Sequence, residues 1–215
     1  DLDLQRYQIA KERRVPFDQR TYYEAFFEEK KKEPLLSPSY YYDQNHLTRG
    51  HGAYPSIQKF IQSKLNNNDL IPFRGPINKK TLGCNEDGKM RIYSNDKYGF
   101  RNPNSIYQKK IKIFLLGDSF ANGDCQDSDK TISAVLRNEF GINTASYGAG
   151  AGPLLNLATF VEYVTNFKPD FVIYLYNESN DMEDLKMSKE TFLINYLDDF
   201  KQNLINRTDE VQEFL

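Results

Sequence analysis

The chain has no tryptophan, only two cysteines and only two histidines in 215 residues. Cys84 and Cys125 are too few and too far apart for a zinc site. His46 and His51 both lie in the first quarter, so no imidazole follows for acid–base work. Charge of one sign is also missing. With 28 basic and 30 acidic residues the net charge is −2, which suggests neither a nucleic acid nor an anionic membrane as partner. No apolar run is long enough to span a bilayer, no secretory leader is visible, and no repeat or low-complexity tract stands out. The chain starts at Asp1 rather than Met. The expectation is a processed or partial product, whose signal or membrane anchor would precede it.

What is present suits a folded domain. Aromatic residues make up 14%, all Phe and Tyr, which argues against overall disorder. The length allows one α/β domain plus an extension. Residues 1 to about 35 are charged, with Tyr22, Tyr23, Phe26 and Phe27 interrupting the charge. They predict a solvated helix with one docking stripe, ended by Pro34 and Pro38. Residues 39–80 read as loop-rich. Tyr40, Tyr41 and Tyr42 are a packing group or a carbohydrate-stacking surface. Ile57, Phe60, Ile61 and Leu65 have the spacing of a short amphipathic helix, ended by Asn66 to Asp69. Met90 to Tyr93 predicts a short strand after a turn at Cys84 to Gly88.

From residue 106 the pattern changes to strand–helix alternation, which predicts a parallel sheet covered on both faces. Residues 111–116 form an apolar run that stops at Gly117, Asp118 and Ser119. It predicts a buried strand, followed by a turn and a helix over 130–140 with Ile132, Val135, Leu136 and Phe140 inward. A second strand over 142–147 leads to a helix over 153–167, with Leu154, Leu157, Val161 and Val164 as its stripe. Phe171 to Tyr176 is a third strand. Residues 190–206 predict a last helix through Phe192, Tyr196, Phe200 and Leu204. Ser119 therefore sits just past a strand's C-terminal end, where open α/β sheets bind ligands.

Gly117-Asp118-Ser119-Phe120 resembles the nucleophile motif of the GDSL/SGNH hydrolase family. Ser146-Tyr147-Gly148-Ala149-Gly150 resembles that family's glycine block. Glu178-Ser179-Asn180-Asp181 resembles its Gly-x-Asn-Asp block. Gly99-Phe100-Arg101-Asn102, upstream of the first strand, is similar to a bacterial subgroup with an N-terminal extension. The resemblance implies a three-layer α/β/α sandwich with a parallel, flavodoxin-like sheet over 106–215, incomplete at its C-terminal end. Residues 1–105 would be a loop-rich extension packed on it, with Gly99 and Phe100 under the active-site edge and a possible protein partner on the extension.

The implied chemistry is that of an esterase or O-acyltransferase without a cofactor or metal. Ser119 would attack an ester carbonyl of a small molecule or an acetylated carbohydrate. The oxyanion would be held by the backbone N–H groups of Ser119 and Gly148 and by the side-chain amide of Asn180. Glycine at 148 removes a clashing Cβ, and an amide at 180 donates without charge. Asp118 would brace the turn. Glu178 replaces a family glycine. Its carboxylate would bind a substrate hydroxyl or cation, or stay solvated, with Asp181 beside it.

The general base is the gap. The family's Asp-x-x-His near the C-terminus has no counterpart after Ser119. Asp43-Gln44-Asn45-His46 matches the motif but lies upstream of the first core strand. A triad is defined by geometry rather than chain order, so this pair stays a candidate. The main expectation is that the chain is a fragment and the base lies past Leu215. A second class of function is a binding or assembly domain that kept the fold and lost the base. The cysteines leave two readings open, free thiols or a bridge from the extension to the nucleophile loop. A bridge would place the protein in the periplasm or outside the cell.

Overall fold

The computed structural model describes residues 2–38, 70–148 and 152–215. The Tyr40–Tyr42 group, the helix expected around Ile57 to Leu65, its stop at Asn66 to Asp69, and Asp43, His46 and His51 lie outside the described residues. The elements in chain order are α1 (Leu2–Glu12), α2 (Tyr22–Lys32), β1 (Lys80–Leu82), β2 (Ile92–Ser94), β3 (Ile113–Gly117), α3 (Ser119–Asn122), α4 (Ile132–Asn138), β4 (Thr144–Ser146), α5 (Pro153–Glu162), β5 (Phe171–Leu175), α6 (Asp181–Ser188) and α7 (Thr208–Phe214). The protein is α/β. Its main sheet is parallel with order β4-β3-β5, and β1 and β2 form a separate antiparallel pair.

The sheet order follows from the apolar content of β3. Phe114, Leu115 and Leu116 are all buried, so β3 needs a strand on both sides and cover on both faces. β4 lies on one side of it and β5 on the other. Right-handed crossovers then put α4 and α5 on opposite faces. They part at the C-terminal end of β3, and that opening is where α3 begins. α5 opens with proline at its first position, where a missing N–H costs nothing, and buries Leu154, Leu155 and Ala158. The main core joins these to Phe114, Leu116, Tyr147 and Tyr163, and also takes in Leu70, Ile71, Phe73 and Phe100 from upstream of residue 106. A smaller cluster of Ala25, Phe26, Leu36 and Leu82 docks α2 onto β1.

Four expectations are corrected. Residues 1–35 form two helices, because Arg14 takes a left-handed φ of 55° and Pro16 follows. In α4 the buried face is Ser133 and Ala134, while Ile132 is exposed and Phe140 lies beyond the helix end. Small side chains let this helix approach the sheet closely. The helix expected over 153–167 ends at Glu162 and gives way to a 3-10 turn, Val164–Asn166. Its most buried apolar residues are Leu154, Leu155, Ala158 and Val164, with Leu157 and Val161 only half-buried. Residues 190–206 are two 3-10 turns, Phe192–Leu197 and Leu204–Asn206, rather than one helix. The Glu162 carboxylate captures the Gln202 N–H at 2.5 Å, the Leu204 N–H at 2.8 Å and the Tyr196 hydroxyl at 2.7 Å. Those backbone donors are then unavailable to a helix, and Asn203 is left-handed at φ 59°.

Candidate functional site

Ser119 is the first residue of α3, directly after β3. It is half-buried, and its hydroxyl has no hydrogen-bond partner among the described residues. Its N–H heads the short helix, so no intrahelical carbonyl satisfies it. Asp118 caps the helix: Phe120 N–H donates to its Oδ1 at 2.9 Å. Its other oxygen accepts from Asn177 Nδ2 at 2.9 Å, tying the end of β3 to the end of β5. Asp118 is 4% exposed and both oxygens are engaged, so it braces the turn.

The close approach of three strand ends explains the glycines here. A Cβ on Gly148 would lie 2.6 Å from Asn122 N and 2.7 Å from Ala121 Cβ. The chain after β4 thus lies directly against α3. A Cβ on Gly117 would meet Leu175 O at 2.8 Å, and its φ of 144° also favours glycine. Gly148 N–H points at Ser146 Oγ at a long 3.4 Å, and Ser146 Oγ donates to Ala121 O at 2.5 Å. Gly148 is therefore held to α3 by packing and by Ser146. Ala149 and Gly150 lie outside the described residues.

The β5 end carries a second network. Asp181 is fully buried, and its Oδ2 accepts from Tyr174 hydroxyl at 2.7 Å and from Asn177 N–H at 2.9 Å. Burial and this bond to Asp181 raise the Tyr174 hydroxyl above its ordinary value. Asn180 precedes α6, and its amide donates to Asp184 Oδ2 at 3.1 Å. Its Oδ1 is buried with no partner among the described residues. The amide hydrogens thus face α6 in this state. Glu178 is exposed, with no ion pair among the described residues. Exposed Phe120, beside the serine, adds an apolar surface.

Asn156 and Asn177 escape a sequence reading, as do the partners of Arg101 and Asn102 in the stretch that the upstream motif marks. Asn156 of α5 accepts Gly117 N–H at 2.8 Å, fixing the backbone before Ser119. Asn177 bridges Asp118 and the β5 network. Asn102 grips Ser146 from both sides, accepting its N–H at 2.9 Å and donating to its carbonyl at 2.9 Å. Arg101, next in chain, turns the other way and donates to Gly123 O at 2.5 Å and Gln126 O at 2.7 Å. Phe100 stacks flat on Tyr147, with centroids 3.8 Å apart, so it packs beneath the end of β4.

Cys84 and Cys125 form a disulfide, with Cα atoms 5.1 Å apart. It joins the loop after β1 to the loop after α3. Among the described residues no group of His, Cys, Asp and Glu is arranged to hold a metal, and no helix is long and apolar enough to cross a membrane. No family model, no curated protein and no solved structure matches the chain.

Proposed function

We propose that the chain carries an acyl-transfer site of the SGNH type, in a flavodoxin-like α/β/α sandwich, acting on an ester of a small molecule or an acetylated carbohydrate. One observation carries this reading. A serine hydroxyl without a hydrogen-bond partner among the described residues heads a helix at the C-terminal end of the middle strand, and a backbone that only glycine permits packs against that helix. Helix N-termini and free N–H groups favour developing negative charge.

In this mechanism Ser119 Oγ bonds to the ester carbonyl carbon as its proton passes to a base. The carbonyl oxygen gains the negative charge and accepts from the N–H groups of Ser119 and Gly148. Asn180 joins them by exchanging its Asp184 bond for the oxyanion. Collapse expels the alcohol, which takes up the proton. Water, or a sugar hydroxyl in the transferase case, then attacks the acyl-enzyme and frees Ser119. The base lies outside the described residues. Asp43–His46 is one source, and an Asp-x-x-His carried by polypeptide past Leu215 is the other.

The disulfide supports an oxidising compartment, periplasmic or extracellular. Exposed Tyr23 and Phe27 on α2 are the surface of the extension that would meet a protein partner. The second reading, a binding or assembly domain, is favoured by the absence of histidine from the described residues and by the engaged Asn180 amide.

Fluorophosphonate treatment followed by intact-mass analysis tests the proposal, with Ser119→Ala as control. One adduct, lost in Ser119→Ala, supports the enzyme. If His46→Ala also abolishes it, the upstream pair is the base. If this chain stays unlabelled but the full-length gene product is labelled at Ser119, the base follows Leu215. No label on either overturns the enzyme reading in favour of binding.

A further inference from the structure

Arg101 is a buried cation that forms no ion pair among the described residues. It is 7% exposed, and its terminal nitrogens donate only to uncharged oxygens: Gly123 O at 2.5 Å, Gln126 O at 2.7 Å and Ser128 Oγ at 3.3 Å. Its Nε is buried with no hydrogen-bond partner among the described residues. The Tyr93 ring, 4.5 Å from the guanidinium, offsets part of the charge's cost. Asp124 and Asp127 act on it through space, but each is already engaged. Asn122 Nδ2 donates to Asp124 at 2.5 Å and Lys89 Nζ to Asp127 at 2.7 Å, while Arg91 opposes both. Burial lowers the guanidinium's proton affinity ahead of every other influence, yet arginine keeps its proton in proteins. Buried charges are normally paired.

The space beside Arg101 says what fits there. A cavity of about 20 Å³ is walled by the Arg74 and Arg101 side chains and by the polar side chains of Thr81, Tyr93, Asn95 and Asn122. No carboxylate among the described residues lines it. That volume admits one particle of about the size of a water molecule or a halide ion, and excludes phosphate, sulfate and organic acids. Thr81 is 1% exposed, and its hydroxyl accepts from Asn95 Nδ2 at 3.0 Å. The hydroxyl's own hydrogen has no acceptor among the described residues, so it is left to donate. Water would accept from these donors but carry no charge to set against the Arg101 guanidinium. A monatomic anion does both. We infer that this cavity is a halide site, holding one chloride ion between Arg74 and Arg101 with Arg101 Nε–H and the Thr81 hydroxyl as donors. The ion joins Thr81 of β1 to Asn122, the last residue of α3. It is independent of the acyl-transfer reading.

Two measurements on the whole 215-residue chain test it. The first is a series of thermal melts in which sodium chloride replaces sodium gluconate at constant ionic strength. Raising chloride from zero to about ten times its Kd should lift Tm by about 3–6 °C and then saturate. Sodium bromide should do the same. Arg101→Met should abolish the rise, but it also removes the bonds to Gly123 and Gln126. Arg74→Met changes a half-buried position outside that loop and is the second variant. It should weaken halide affinity about tenfold or more, with near-ultraviolet circular dichroism unchanged. The second measurement is diffraction from crystals grown in sodium bromide, which should give an anomalous peak in the cavity within hydrogen-bond reach of Arg101 Nε. A Tm indifferent to halide, with no peak, overturns the inference and leaves the cavity to water. A peak without a saturating rise in Tm is binding at crystal concentration only, and overturns it as well. A rise that survives intact in Arg74→Met places the halide elsewhere and overturns the site.

Discussion

Removing both cysteines, as Cys84→Ser with Cys125→Ser, perturbs the structure where it is best buttressed. The disulfide closes a loop across a separation of 41 residues. Lost loop entropy in the unfolded chain for that length amounts to about 4 kcal/mol. The folded state has little to lose, because Arg101 holds the same loop through Gly123 O and Gln126 O. The cost therefore falls on the unfolded side. For a chain of this size about 4 kcal/mol converts to a fall in Tm of roughly 8–16 °C. Thermal melts of oxidised protein and the double variant measure it, with near-ultraviolet circular dichroism to verify the native fold below the transition. Reductant should bring the native protein down to the variant and leave the variant unmoved. A fall of less than about 3 °C would refute the reasoning, since the bond would then restrict the unfolded chain far less than its loop length implies. Adding Arg101→Met should cost more in the double variant than in the oxidised protein, because bond and guanidinium secure one loop.

Glu162→Leu strands the donors of Tyr196, Gln202 and Leu204 in a buried site, so a loss of about 3–5 kcal/mol is expected, read as a lower urea midpoint and faster amide exchange over 196–204. Gly148→Ala drives a Cβ to 2.6 Å from Asn122 N, with an expected cost of about 1–3 kcal/mol and slower labelling of Ser119, whereas Gly141→Ala meets no atom within 4 Å and costs only about 1–2 kcal/mol for its φ of 66°. A melt series that ranks them the other way would contradict the packing. Hydrogen bonding from the Arg20 guanidinium lowers the Asp18 carboxyl below its usual 3.8. A depressed carboxyl gives stability that is complete above the unfolded value and lost as pH falls through the folded one. Carbon-detected titration should place Asp18 below 3.8, and Arg20→Met should raise it from there.

The parts legible in the sequence are those where burial acts along one continuous segment. β3 reads from its apolar run because both its faces are covered. β5 reads from its composition too, although its faces are exposed. Periodicity misled in α4, where closeness to the sheet selects Ser133 and Ala134 and leaves Ile132 outside. It misled again over 190–206, where the deciding group is a carboxylate 40 residues upstream of Gln202. No local window contains that partner. The site shows the same division. Ser119, Gly148 and Asn180 lie at element ends that the sequence marks. The groups that hold them, Asn102, Asn156 and Asn177, are ordinary polar residues whose partners are 39 to 59 positions away.

The stretch 96–102 shows why the extension and the sheet act together. Asp96 is fully buried and accepts from Tyr98 N–H, Phe100 N–H, Asn102 Nδ2 and the Tyr107 hydroxyl, at 2.6 to 3.0 Å. Burial pushes its carboxyl up, so the four donors work against a desolvation cost, and losing any one weakens the rest. That carboxylate fixes the backbone from which Arg101 and Asn102 depart in opposite directions. Arg101 reaches the loop after α3, and Asn102 reaches the strand before Gly148. One buried carboxylate thus sets the spacing between Ser119 and its candidate oxyanion donor through two adjacent side chains. A cut at 105 and 106 would remove Phe100 from the Tyr147 stack and leave both backbone groups of Ser146 without the Asn102 amide. Whatever chemistry Ser119 performs, its geometry depends on residues that precede the first strand of the sheet.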